Sequence, residues 1–232
     1  MNRPEARDPD RLLRALQIAL MVTTALCHAQ SIRAHAPDPA TKATSFPTES
    51  TPMASNRAAS TEISHDGVHL LVSFDFAASG TLQVRYRLRN DRDSALAVFD
   101  RGDRHGVLSR RQTMGEVPQP AWTMNGDDAI TLSHIALPLP QPAPTVPALP
   151  LAARLLAGAE LEGEFSFDLP LNSAVSRLRW CLGVTEFEPS EFSSPEPSRN
   201  AEIWRASFAV VDRQTQLCTP WFDLASGQFA AH

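Results

Sequence analysis

Apolar residues recur at every second position through much of this chain, and that rhythm limits its fold more than any other feature. In "LQVRYRLR", Leu82, Val84, Tyr86 and Leu88 alternate with Gln83, Arg85, Arg87 and Arg89. Successive side chains of an extended strand point to opposite faces, so such a stretch buries one face and wets the other. "VHLLVSFDF" repeats the pattern with Val68, Leu70, Val72, Phe74 and Phe76. "LEGEFSFDL" sets Leu161, Phe165, Phe167 and Leu169 against Glu162, Glu164, Ser166 and Asp168. "RLRWCLGV" turns Leu178, Trp180, Leu182 and Val184 inward, and "WRASFAVV" does the same with Trp204, Ala206, Phe208 and Val210. Shorter strands are expected at 96–100, 129–137 and 215–222.

No stretch after the N-terminal region keeps an apolar stripe at helical spacing. "LAARLLAGAEL" (151–161) comes nearest, and Pro150 with Gly158 limit it to a turn or two. Seven to nine short strands joined by Asn, Asp, Gly and Pro turns imply an all-β chain, an antiparallel β-sandwich of immunoglobulin-like kind. Six prolines between Pro138 and Pro150, and the segment 188–200, supply Pro-rich connecting loops.

The N-terminus reads differently. Arg3, Arg7, Arg11 and Arg14 precede the apolar run "LQIALMVTTAL", and small residues follow at Cys27 and Ala29. That order is expected of a signal peptide over residues 1–29, and the run is too short to span a bilayer comfortably. A lipid anchor at Cys27 is the competing reading, which the large Leu26 before it disfavours. Residues 30–62 are rich in Ser, Thr, Ala and Pro and too poor in large apolar side chains to offset chain entropy. They are expected to form a disordered linker ahead of a β-sandwich domain over 63–232.

Removing four arginines and three acids with residues 1–29 leaves 17 basic and 23 acidic residues of the chain's 21 and 26. A mildly acidic body without basic runs argues against nucleic acid as a partner. Secretion or a periplasmic location would be oxidising, so Cys181 and Cys218 are candidates for a disulfide. A simple meander of 177–187, 204–211 and 214–222 sets the first and third strands about 10 Å apart, beyond disulfide reach. The pair is therefore left open.

Candidate sites are few. Asp91 and Asp93 have the spacing of calcium loops, but neither the further oxygen ligands nor the glycine of such a loop follows. Asp127 and Asp128 follow the hairpin signal Asn125-Gly126. These four are weak metal candidates, expected to be solvated turn acids. Arg101-Gly102-Asp103 reads as a turn with Gly102 at positive φ rather than an adhesive motif. His65, His69, His105 and His134 are expected in surface or turn positions. Arg85, Arg87 and Arg89 form a basic row and Glu162, Glu164 and Asp168 an acidic one. On neighbouring strands the two rows would pair; apart, each would suit a partner of opposite charge. Trp180 and Trp204 belong to the core by alternation, whereas Trp122 and Trp221 are candidates for a binding surface.

Motifs of nucleophilic, metal-dependent and phosphate-binding enzymes are absent from the sequence. Glu162 and Glu164 have a separation that suits glycosidase chemistry, without an evident reason for a raised pKa.

The alternating strands, with "LRNDRDS" between two of them and "LAGAEL" leading into "EGEFSFDLPL", resemble bacterial secreted immunoglobulin-like modules, a likeness of pattern that carries over no site residue. The expectation is a secreted or periplasmic, non-enzymatic module needing no cofactor. It would bind an envelope or extracellular protein through strand-end loops or a sheet edge. A carbohydrate- or calcium-binding module using the acidic turns and Trp122 or Trp221 is the alternative, with a hydrolase behind it.

Overall fold

The computed structural model describes residues 57–170, 174–199 and 201–231. The expected signal peptide and most of the expected linker lie outside them. In chain order the strands are β1 (Arg57–His65), β2 (Val68–Phe76), β3 (Thr81–Asn90), β4 (Leu96–Val98), β5 (Ala121–Asn125), β6 (Ala129–His134) and β7 (Leu151–Leu155). They continue with β8 (Glu160–Asp168), β9 (Arg177–Glu186), β10 (Phe192–Pro197), β11 (Glu202–Ala206), β12 (Thr215–Cys218), β13 (Phe222–Asp223) and β14 (Gln228–Phe229). One short helix, α1 (Arg104–Leu108), follows Asp103, whose carboxylate caps it by accepting from Gly106 N–H at 2.8 Å. No helix among the described residues is long and apolar enough to cross a membrane.

The described residues are all-β, in two sheets. The first has the order β1-β2-β3-β8, antiparallel throughout. The second is built around β9. Along one edge of β9, β6 pairs with residues 177–182 and β4 with 184–186; along the other, β13 and β12 pair. β7, β11 and β10 extend the sheet beyond β4, and β5 extends it beyond β6. The β6–β9 pair is parallel, so the expected purely antiparallel arrangement is corrected to a mixed second sheet.

The two sheets meet face to face, and their inner residues are those of the alternation. Val68, Leu70, Val72 and Phe74 of β2 and Leu82, Val84, Tyr86 and Leu88 of β3 are buried against Leu178, Trp180, Leu182 and Val184 of β9. The ring centroids of Tyr86 and Phe165 lie 4.8 and 5.4 Å from that of Trp180, and Phe74 meets Phe222 edge-on at 5.3 Å. Each such side chain contributes roughly 1.5–3 kcal/mol of hydrophobic stabilisation.

Four expectations are corrected. β1 starts at Arg57, within the segment expected to be linker; its small residues suffice because β2 pairs with its whole length and Ala59 and Ile63 pack on the core. The segment 151–155 is a strand buried on both faces between β4 and β11, and burial on both faces erases alternation. β11 ends at Ala206, followed by a 3-10 turn over Phe208–Val210, and it is Ile203 that faces the main core. Trp204 lies half-buried on the opposite face, edge-on to Phe187 at 5.1 Å in a second small cluster. Finally, β11 joins β7 instead of standing between β9 and β12, so β12 pairs directly with β9 and opposes Cys218 to Cys181. The two form a disulfide with Cα atoms 4.0 Å apart.

Candidate binding cleft at a free strand edge

β8 closes the first sheet on one side, and its outer edge has no partner strand among the described residues. The phase of its ladder follows from two bonds: Leu169 N–H donates to the Gly80 carbonyl and Asn90 N–H to the Ala159 carbonyl, each at 3.0 Å. Because antiparallel pairing alternates, Leu161, Gly163, Phe165 and Phe167 turn their backbone groups toward β3. Glu162 and Glu164 therefore direct their N–H and C=O away from the sheet. Unpaired backbone groups of this kind are a template for another strand.

Glu162, Gly163 and Glu164 line a cleft of about 660 Å³. Its other wall is the loop Met114–Val117 with Ser198 and Arg199. Gly115 holds this wall together at φ +82°, where a Cβ would overlap the Ser198 hydroxyl. Met114 and Val117 are partly buried against the main core.

Arg101 lines the cleft yet is only 2% exposed. Its Nη1 lies 3.0 Å from Oδ2 of the fully buried Asp100, and the same oxygen accepts from the Tyr86 hydroxyl at 2.6 Å. Burial first, and the Asp100 charge second, push the Tyr86 hydroxyl well above its ordinary pKa. Gly163, opposite Tyr86 in register, leaves room for the ring, since a Cβ there would overlap the hydroxyl. Asp100 Oδ1 and Arg101 Nε lack hydrogen-bond partners among the described residues.

A second buried polar group adjoins this network. Trp180 Nε1 donates to His134 Nδ1 at 3.0 Å, and His134 Nε2 lies 2.9 Å from the Pro118 carbonyl. The indole N–H can only donate, so Nδ1 accepts and Nε2 carries the proton given to Pro118. Burial lowers the His134 pKa. His134 is thus 4% exposed, which corrects the expected surface or turn position.

The remaining predicted residues fall as follows. Arg85, Arg87 and Arg89 stand opposite Glu164, Glu162 and Glu160 on adjacent strands. Arg87 bonds Glu162 at 2.7 Å through Nη2, Arg85 meets Glu164 at 3.5 Å, and Arg89 turns to Asp91 at 2.7 Å. Asp91 also faces His69 at 3.5 Å, Asp93 is exposed, and Asp128 accepts from Ser176 Oγ at 2.8 Å. Asp91 and Asp93 follow β3 at the end where Asn90 bonds the Leu155 carbonyl and Leu155 and Leu96 align with Glu186. Asp127 and Asp128 precede β6 beside Arg177, at the other end of β9. The two pairs do not converge, and no metal-binding group of three His, Cys, Asp or Glu forms among the described residues. In the Arg101-Gly102-Asp103 triplet, Arg101 is buried, Gly102 takes φ +65° and Asp103 caps α1.

Trp221 lies beneath Arg177 and Arg179, whose guanidinium carbons are 5.2 and 4.6 Å from its ring centroid. Trp122 is 46% exposed on β5. A smaller crevice of about 240 Å³, walled by Pro118, Pro138, Pro140 and Pro150, opens between the two branches of the second sheet.

Compared with known protein families, curated proteins and solved structures, the chain shows no match.

Proposed function

We propose that the chain is a secreted or periplasmic immunoglobulin-like module without catalytic activity, which acts by protein–protein contact at the free edge of β8. The observation that carries this reading is the outward direction of the Glu162 and Glu164 backbone groups at a free edge whose residues line a cleft. Strand addition uses that combination: main-chain bonds give affinity, and flanking walls give selectivity. The cleft volume falls within the range of about 300–1,000 Å³ typical of ligand sites. An oxidising compartment accords with the Cys181–Cys218 bond, and the acidic composition disfavours nucleic acid.

The test is crosslinking in the producing cells with the full chain carrying a photoreactive phenylalanine analogue at Glu116, on the cleft wall, or at Trp122, on β5. Discrete protein adducts from position 116 support the reading. Adducts from position 122 alone move the contact to the β5 edge, and adducts from neither position overturn it.

A further inference from the structure

The charge distribution around the β8 edge points to the chemistry of its occupant, an inference that rests on the reading above. The wet face of β8 carries Glu160, Glu162, Glu164 and Asp168, but β3 turns only Arg85 and Arg87 toward them, because Arg89 is engaged by Asp91. Arg87 is shared between Glu162 and Glu160, the latter at 3.8 Å, and Asp168 accepts from Thr81 Oγ1 instead of an arginine. Glu162 and Glu164 remain largely exposed, at 65% and 76% of their side chains. Across the sheet the rows thus run basic on β3 and acidic on β8, with a surplus of acid at the open edge.

The rest of the cleft is of another character. Arg101 lines it but is almost wholly buried and paired with Asp100 at 3.0 Å, so its charge is compensated inside the protein. Met114 and Val117, both apolar, line the cleft as well.

We infer that the cleft takes an extended peptide segment as a further strand beside β8, with Lys or Arg at alternate positions and apolar residues between them. Its amides and carbonyls bond the outward groups of Glu162 and Glu164, and its basic side chains continue the charge ladder beside the glutamates. Its apolar side chains face Met114 and Val117. Cross-strand pairs of opposite charge favour this register and like charges oppose it.

The test uses the full chain and two fluorescein-labelled peptides of equal length, one alternating Lys and Val, the other Glu and Val, titrated by fluorescence anisotropy. The Lys/Val peptide is expected to bind, the Glu/Val peptide about tenfold or more weakly, and added salt to weaken the former. Glu164→Pro removes an amide on the free edge and leaves the β3 ladder intact, so binding is expected to fall about tenfold with the unfolding temperature retained. If that variant unfolds, Glu164→Lys keeps the backbone and is expected to weaken the Lys/Val peptide alone. No binding, equal binding of both peptides, or binding indifferent to both variants overturns the inference. Protein adducts from position 116 in the crosslinking experiment would then leave protein–protein contact standing, with a partner of other chemistry.

Discussion

Trp180 donates its indole N–H to Nδ1 of His134 at 3.0 Å, and this bond assigns the proton on a buried imidazole. Burial opposes charging this imidazole most and Arg101 adds to it, while the Pro118 carbonyl and Asp100 favour the charge. The folded state therefore holds His134 below its ordinary pKa, while the unfolded chain titrates near 6.5. Below that value the unfolded chain binds the extra proton, so the stabilisation is full above about pH 6.5 and is lost as pH falls toward the folded pKa. Thermal unfolding from neutral to mildly acidic pH should show a falling midpoint. His134→Gln, which keeps both a donor and an acceptor but does not titrate, should flatten that fall.

Tyr86, Asp100 and Arg101 form a unit in which each partner is buried, so single deletions should be costly. Tyr86→Phe removes one bond to Asp100 and is expected to cost about 1–3 kcal/mol. Arg101→Met leaves the Asp100 carboxylate buried without its cation and is expected to cost about 3–5 kcal/mol. Urea unfolding of both variants measures the difference. Equal small losses would mean that water compensates Asp100.

What the sequence revealed and what it hid divide along one physical line. Strands with one wet face were legible, because Arg85, Arg87 and Arg89 or Glu162 and Glu164 alternate with core residues. His134 continues the buried series Ile130 and Leu132 in that same alternation, so its place in the core was readable, although a histidine suggested the surface. Leu151–Leu155 and the inward face of β11 differ from expectation because strands of the second sheet are covered on both faces, where alternation carries no information. The cleft was out of reach for another reason. Met114–Val117, Arg101 and Ser198 approach β8 only through the sheet order, and no local pattern encodes which strand stands at an edge.

The acidic turns yield a prediction through their separation. Asp91 is held by Arg89 and His69, Asp128 bonds Ser176, and the two pairs stand at opposite ends of β9. Calcium binding needs six or more oxygens around one ion. Adding calcium to the metal-free chain should leave its unfolding midpoint unchanged; a clear upward shift would restore the calcium-binding alternative.

The Cys181–Cys218 bond joins residues that already oppose one another across β9 and β12, closing 37 positions of chain. Within that loop lie β10 and β11, which pack at the far side of the second sheet beyond β7. The bond therefore ties a long excursion back to the central strand, and its main effect is to restrict the unfolded chain. Loop-closure entropy gives roughly 3–4 kcal/mol for a loop of this length. The Cys181→Ala/Cys218→Ala chain should lose about that much in urea unfolding, and the reducing agent that destabilises the parent should leave this variant unchanged. Because Trp180 lies next to Cys181 and bonds Thr219 through its amide, its fluorescence reports the same transition. A parent chain insensitive to reductant under unfolding conditions would mean that the two thiols are not joined.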